Sequence, residues 1–355
     1  MWDRLSICLS IFSIMALSNA IVPILPVYAT SSTLQSAIYS AYFLGAFLTT
    51  LLGGLLSDKY GRLPVIRFGL GITIISGLLL TVLSPAIIVI GARCLEGIGA
   101  GLFVAAAMAH VNSLPDHAKM SGYFMAALNL GLVLGLILGG NLAVQFHTST
   151  GGILLFTIMT LLSILLSIFM MSSPATPEPN TLAIVKSLIY DYRWLWYSSL
   201  VLIGITGVVT SLYPKFSGAS PDIVGNLIAG MSIATIMGVI TISRINPDPI
   251  ITIQIAAAIM AGSVMLTFIS PIGFFFIGTL SGFVMIAQMA FLSKVKDNQG
   301  ITMGLFSTTS YLGMSLLPFL AGVIADSMTF FIAFCVTACM ALTVTFTISR
   351  YNCPN

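Results

Sequence analysis

The sequence predicts an all-α membrane protein of twelve transmembrane helices arranged as two six-helix bundles. Three observations carry that expectation. Hydrophobic residues make up 58% of the chain, charged residues 6%, and the mean hydropathy is +1.08, whereas a soluble domain carries roughly 25% charged residues. With 13 Lys and Arg and 10 Asp and Glu in 355 residues, a water-facing surface cannot be built, so the surface must face lipid. Apolar runs of about 20 residues, the length needed to cross a hydrocarbon core of ~30 Å, recur along the chain between breaks at charges, Pro and Gly.

Taken in order, the expected spans are 5–27, 35–56, 65–84, 86–109, 120–145, 151–171, 195–213, 222–243, 250–269, 272–293, 301–325 and 328–348. Short turns around Ser84-Pro85, Pro271 and Asp326-Ser327 join three of the pairs. The first run continues past Ser18-Asn19-Ala20 to Tyr28, so it is read as a membrane helix and not as a removed leader. The polar stretch Ser172–Arg193, with Pro174, Pro177 and Pro179, separates helix six from helix seven. The expected domains are therefore an N-terminal bundle (1–171), a cytoplasmic linker (172–194) and a C-terminal bundle (195–355).

Positive charge sets the expected orientation. With the N-terminus inside, cytoplasmic segments hold Arg4, Lys59, Arg62, Arg67, Lys119, Lys186, Arg193, Arg244, Lys294, Lys296 and Arg350, which is 11 of the 13 Lys and Arg. Lys215 falls outside and Arg93 lies within a span. Both termini are then cytoplasmic, in a multi-pass protein of the cell membrane. Net charge of +3 is small and dispersed, which excludes a nucleic-acid partner. The five cysteines form no C-x-x-C pair, so no metal is expected, and neither is any cofactor.

A repeat joins the halves. Shifting helix five by 182 residues matches Gly122, Phe124, Gly131, Leu138 and Gly140 to Gly304, Phe306, Gly313, Leu320 and Gly322 in helix eleven, as expected of a duplicated six-helix unit.

Charged residues in and beside the spans are few enough to weigh singly. Helix four holds Arg93 and Glu96 in the string Arg93-Cys94-Leu95-Glu96-Gly97-Ile98-Gly99. An Arg or an acid at the centre of a membrane helix costs at least ~2.5 kcal/mol. Spaced i,i+3, the two share a helix face and offset each other. Glu96 is the one carboxylate placed well inside a span, so it is either a proton carrier, tuned by desolvation against Arg93, or half of a structural bridge. After helix two comes Gly54-Leu55-Leu56-Ser57-Asp58-Lys59-Tyr60-Gly61-Arg62-Leu63-Pro64. Gly61 lets the chain reverse in a short loop. Asp58 ends a helix, where the macrodipole disfavours an anion, and needs a partner such as Arg62 or a neighbouring helix N-terminus.

The loop string resembles the signature G-x-L-a-D-r-x-G-r-k-x-x-l of the major facilitator superfamily, departing from it at Leu63. The helix-four string resembles that family's R-x-x-q-G-x-g, with Glu96 in place of Gln. Asn19-Ala20-Ile21-Val22-Pro23-Ile24-Leu25-Pro26 looks like the helix-one ending of its twelve-helix drug:proton antiporter branch. Gly131, Gly135, Gly139 and Gly140 stand where that branch carries a Gly- and Pro-rich helix five, whose Pro is absent here. The resemblance implies the major facilitator fold and alternating-access transport. It also implies a gating loop of Gly54, Asp58, Lys59, Gly61 and Arg62 neighbouring helix eleven, and proton coupling through Arg93 and Glu96. Asn19, Tyr39, Tyr42 and Gln288 are the candidate cavity residues. The partners expected are a small-molecule substrate, protons and the bilayer, with the protein a monomer. Two functions stay open: proton-coupled export of small amphipathic compounds, and transport or exchange of a metabolite or organic anion with Arg93 as ligand. The chain has no H-E-x-x-H or G-x-S-x-G string, so no catalytic residue is assigned, and no P-loop, so ATP does not drive it.

Overall fold

The computed structural model describes residues 2–82, 85–114, 116–170, 181–245, 247–293 and 299–350. Ser84, Asn246, Lys294, Lys296, Cys353 and the prolines of the expected linker lie outside the described residues. The helices are α1 (Trp2–Ala20), α2 (Leu25–Tyr28), α3 (Ser32–Tyr60), α4 (Arg62–Thr81), α5 (Ala86–Asn112), α6 (His117–Gln145), α7 (Gly151–Ser167), α8 (Thr181–Asp191), α9 (Arg193–Ser217), α10 (Pro221–Ile245), α11 (Pro249–Ile269), α12 (Ile272–Leu292), α13 (Gln299–Ser327) and α14 (Phe330–Ile348). Among the described residues eleven spans are long and apolar enough to cross a bilayer, α1 and α2 together making the first. The 17-residue α7 is the shorter apolar helix, at the lower limit of a spanning length of about 17–25 residues. No strand occurs among the described residues.

Several helices run past their expected ends. Hydropathy registers only the part inside the hydrocarbon, while the helix continues through the headgroup layer until the backbone is broken. At 29 residues, α3 is about 44 Å long, well beyond a ~30 Å core. It stops at Gly61, whose φ of 90° and ψ of 154° are open essentially to glycine alone. α9 runs four residues past its expected end and gives way at Gly218, φ 60°. At the end of the first span, Pro23 and Pro26 remove backbone donors. The chain answers with a 3-10 turn, Val22–Ile24, between α1 and α2. The interval expected as a linker folds in part into α8.

The chain folds as two compact units. The first holds residues 1–30, 41–179 and 217–229, and so takes in α1, α2, most of α3, α4 to α7 and the start of α10. Its core joins Ile7, Ile11 and Ile14 of α1, Ile66 and Leu70 of α4, Phe103 and Ala107 of α5 and Phe124 of α6. Close packing is set by glycines four apart on α6. A methyl at Gly131, Gly135 or Gly139 would overlap the carbonyls of Phe12, Ala16 or Ala20 on α1, so two helix backbones lie in contact along two turns. The i,i+4 glycines of helix five thus serve packing.

The second unit holds residues 31–40, 180–216 and 230–355, with the start of α3, α8, α9, the rest of α10 and α11 to α14. An aromatic group gathers at one end of it. Phe216 of α9 stacks on Phe268 of α11 at 5.0 Å and meets Phe330 and Phe334 of α14 at 5.5 Å. The internal repeat reappears in the helix packing. Gly313 of α13 lies against the Leu200 carbonyl of α9, as its mate Gly131 lies against Phe12 of α1. Gly322 of α13 lies against Ser32 and Ser36 at the start of α3, as Gly140 of α6 lies against Pro221 and Asp222 at the start of α10.

Large apolar side chains are exposed along the spans, among them Ile87, Ile158, Ile259 and Phe346. In water these would be a liability; on membrane helices they are the lipid-facing surface.

Candidate functional site: a buried ion pair on α5

Among the described residues of the first unit, one charged pair is buried completely. Arg93 Nη1 lies 2.6 Å from Glu96 Oε2, with the side chains 1% and 0% exposed. The i,i+3 spacing on α5 brings them together as expected. The guanidinium also sits 4.8 Å from the centre of the Tyr42 ring, a cation–π distance. Glycine decides why Tyr42 is there. A methyl at Gly97 would overlap the Tyr42 carbonyl, and one at Gly45 the Cys94 carbonyl. The α3 and α5 backbones therefore touch, and Tyr42, 4% exposed, is held over Arg93. Tyr42 in turn meets Phe43 edge to face at 5.0 Å.

The carboxylate is asymmetric. Oε2 accepts from Arg93, while Oε1 is buried and has no hydrogen-bond partner among the described residues. A buried charged oxygen without a donor costs more than the ~1–3 kcal/mol of a neutral one. That position is chemically demanding: it is satisfied by a proton, by a water or by a donor on a bound molecule.

The other expected residues are placed as follows. In the first unit, Asn19 Nδ2 donates to the Leu132 carbonyl of α6 at 3.1 Å, an interhelical bond. In the second, Gln288 of α12 is fully buried, donating through Nε2 to Ser198 Oγ of α9 at 3.0 Å, with Oε1 unpartnered among the described residues. Tyr39 is 3% exposed, and its ring edge lies 3.2 Å from where a Cβ on Gly207 would sit. Arg93, Glu96 and Tyr42 are thus brought together; Asn19 belongs to the α1–α6 contact; Tyr39 and Gln288 belong to the second unit.

The loop between α3 and α4 reverses at Gly61, as expected. Asp58 is partly exposed at the end of α3 and makes no ion pair among the described residues. Arg62 is 9% exposed at the start of α4, and its Nε and Nη1 have no hydrogen-bond partner there. The two expected partners do not pair with each other. Lys59 lies over the Tyr60 ring at 5.1 Å, and a Cβ on Gly54 would meet nothing within 4 Å. Arg67, one turn on, donates to the Ser167 carbonyl at 2.8 Å and closes the end of α7.

Sequence reasoning missed three polar junctions. Tyr28 donates to the Leu80 carbonyl at 2.7 Å. Asn141 of α6 approaches Asn226 of α10 at 3.5 Å. Asp326, read only as a turn residue, pairs with Lys215 at 3.2 Å and binds backbone at the start of α3. The last had a signal: Lys215 is the one base that breaks the positive-inside pattern, and an acid at a helix end needs a donor.

Known proteins give this arrangement its family. The Major Facilitator Superfamily profile matches residues 5–318. Multidrug resistance protein 2 of Bacillus subtilis (strain 168) is 24% identical over 348 residues, covering 86% of this chain and 84% of that protein. Quinolone resistance protein NorA of Staphylococcus aureus (strain MRSA252) is 28% identical over 145 residues, 39% of this chain, and the match spans only 37% of NorA's length. Among solved structures, a mutant of the nucleoside transporter NupG superposes with a TM-score of 0.80 at 14% identity, over 98% of this chain and 99% of that one. The inward-open xylose transporter XylE from E. coli gives 0.75 at 14% identity, over 98% and 95%. With twelve apolar helices among its described residues, eleven of them of full spanning length, and a profile match over most of its length, the chain belongs to the major facilitator superfamily, and it is a membrane transporter and not an enzyme.

Proposed function

We propose that the protein is a proton-coupled exporter of small amphipathic compounds, working by alternating access, with Glu96 as the proton carrier. The observation that carries this reading is the divided state of Glu96: one oxygen held by Arg93 and the other buried without a donor. Protonating Oε1 removes the unsatisfied charge and weakens the bond to Arg93. A substrate with an apolar body and a donor group could take the same place, so proton and substrate compete for one oxygen, which is the logic of antiport. The names of the two drug-resistance relatives support export of compounds of this class.

In this reading Asn19, Tyr39, Tyr42 and Gln288 contribute to the substrate cavity. The loop Gly54, Asp58, Lys59, Gly61 and Arg62 gates the cytoplasmic side, and both termini are cytoplasmic. The 172–194 stretch links the N-terminal (1–171) and C-terminal (195–355) halves of a monomer. Asp58 without an ion pair and Arg62 with Nε and Nη1 unpartnered, both among the described residues, suit a gate whose partners are engaged in only one of two conformations.

A second reading keeps Arg93 as the ligand of an anionic metabolite moved by uniport, symport or exchange. It is favoured by the guanidinium being clamped on Tyr42, which prepares a fixed positive site. Everted vesicles separate the two. In the export reading, a quinolone dissipates a preformed pH gradient with the wild-type protein and not with Glu96→Gln. Equal responses from the two proteins, or a response only to sugars and organic acids, would sink the Glu96 export reading and make Arg93 the residue to test.

A further inference from the structure

We infer that Asp326 is a positioning residue of the transport cycle: it pins the first turn of α3 to the end of α13 in this conformation and releases it in the other. Both carboxylate oxygens are engaged. Oδ1 accepts the Ser32 N–H at 2.9 Å and a bond from Lys215 Nζ at 3.2 Å, and Oδ2 accepts the Thr33 N–H at 2.7 Å. Thr33 Oγ1 returns a bond to the Gly322 carbonyl at 3.3 Å. The first N–H groups of a helix have no partner of their own, and that end carries the positive pole of the helix dipole. An anion on another helix is a fitting counterpart, and charge assistance strengthens each bond. Beneath it the helices touch, since a Cβ on Gly322 would lie 2.7 Å from Ser36 Oγ, itself bonded to Ser211 Oγ at 3.4 Å.

The repeat shows that packing alone does not require this charge. Gly140 makes the equivalent approach to the start of α10, and the polar contact beside it is the neutral pair Asn141–Asn226. One junction of two has been given an ion pair. That pair is reversible by its setting, with Asp326 27% and Lys215 31% exposed, so water can replace each bond as it breaks. α3 is also continuous from Ser32 to Tyr60. The same helix carries Tyr42 over Arg93 and ends at Gly61.

The inference rests on the alternating-access part of the proposed function, and not on its proton or its substrate. The test uses neither. In the full chain with Cys8, Cys94, Cys335, Cys339 and Cys353 changed to Ser, reconstituted in liposomes, a reporter Ser36→Cys is labelled with a membrane-impermeant maleimide. Ser36 is fully buried here. Asp326→Asn should raise the labelling rate roughly fivefold or more, Asp326→Glu should restore the parent rate, and Lys215→Gln should raise it by a smaller factor while leaving the backbone bonds in place. Ser163→Cys, equally buried between α1 and α7, reports general loosening. If Ser36→Cys labels at the parent rate in both Asp326→Asn and Lys215→Gln, or if Ser163→Cys rises in step with it, Asp326 is only a structural cap and the inference falls. Should Asp326→Asn fail to insert, the Lys215→Gln rate decides.

Discussion

Removing one member of the Arg93–Glu96 pair should cost far more than removing both. Arg93→Met leaves Glu96 in a fully buried place with neither oxygen paired, and the Tyr42 ring without its cation. Breaking a buried pair in this way costs about 3–5 kcal/mol. Glu96→Met leaves the guanidinium without a counter-charge, softened by the ring at 4.8 Å; about 1–3 kcal/mol is expected. The double variant Arg93→Met, Glu96→Met removes both charges and fills the space with flexible apolar side chains. Since replacing buried pairs by apolar groups is often neutral or better, it should return to within about 1 kcal/mol of the parent. The coupling energy of the cycle is then at least ~3 kcal/mol. Equilibrium unfolding in mixed micelles, followed by tryptophan fluorescence, measures it. Additive losses, with the double variant the least stable of the four, would refute the argument. The pair would then be a net source of stability, and the case for keeping two costly charges for the sake of transport would fail.

Two further outcomes follow from backbone geometry. Gly61→Ala should cost about 1–3 kcal/mol, because at φ 90°, ψ 154° a Cβ is strained although space around it is free; the same unfolding assay reads it. Gly97→Val should part α3 from α5 and free Tyr42, lowering the amount of folded protein recovered by size exclusion, whereas Gly91→Ala, which would meet nothing within 4 Å, should change recovery little. Equal recovery for Gly97→Val and Gly91→Ala would mean that the α3–α5 contact does not set the position of Tyr42.

The spans were legible because lipid imposes a single long-range rule: backbone groups must be satisfied within the helix, so apolar length marks each crossing. Gly61 was legible for a local reason, a loop too short to reverse without a positive φ. So was the pairing of Arg93 with Glu96, where the i,i+3 spacing and the expense of isolated charges point one way. The ring over Arg93 was not legible. Tyr42 stands in the string Ser40-Ala41-Tyr42-Phe43 with nothing to distinguish it from Tyr39, and it is the glycines of another helix, Gly97 above all, that decide which tyrosine meets the arginine. Asp326 was hidden by the same limit. Its partners are backbone N–H groups 293 and 294 residues away, and a main-chain donor leaves no mark on the composition of the segment that offers it.

The two halves differ in what they have kept. Gly131 and Gly313, and again Gly140 and Gly322, make matching helix contacts, because a methyl at any of them would drive helices apart in either half alike. Charges carry no such obligation. The Arg93–Glu96 pair stands in the first unit with no counterpart on α12, where Gln288 bonds neutrally to Ser198. The Asp326–Lys215 pair stands in the second, where the matching junction of the first has the neutral Asn141–Asn226 pair. Glycines preserve the repeat as a packing scaffold, because a lost helix contact is felt alike in either half, and the charges are what set one half apart from the other.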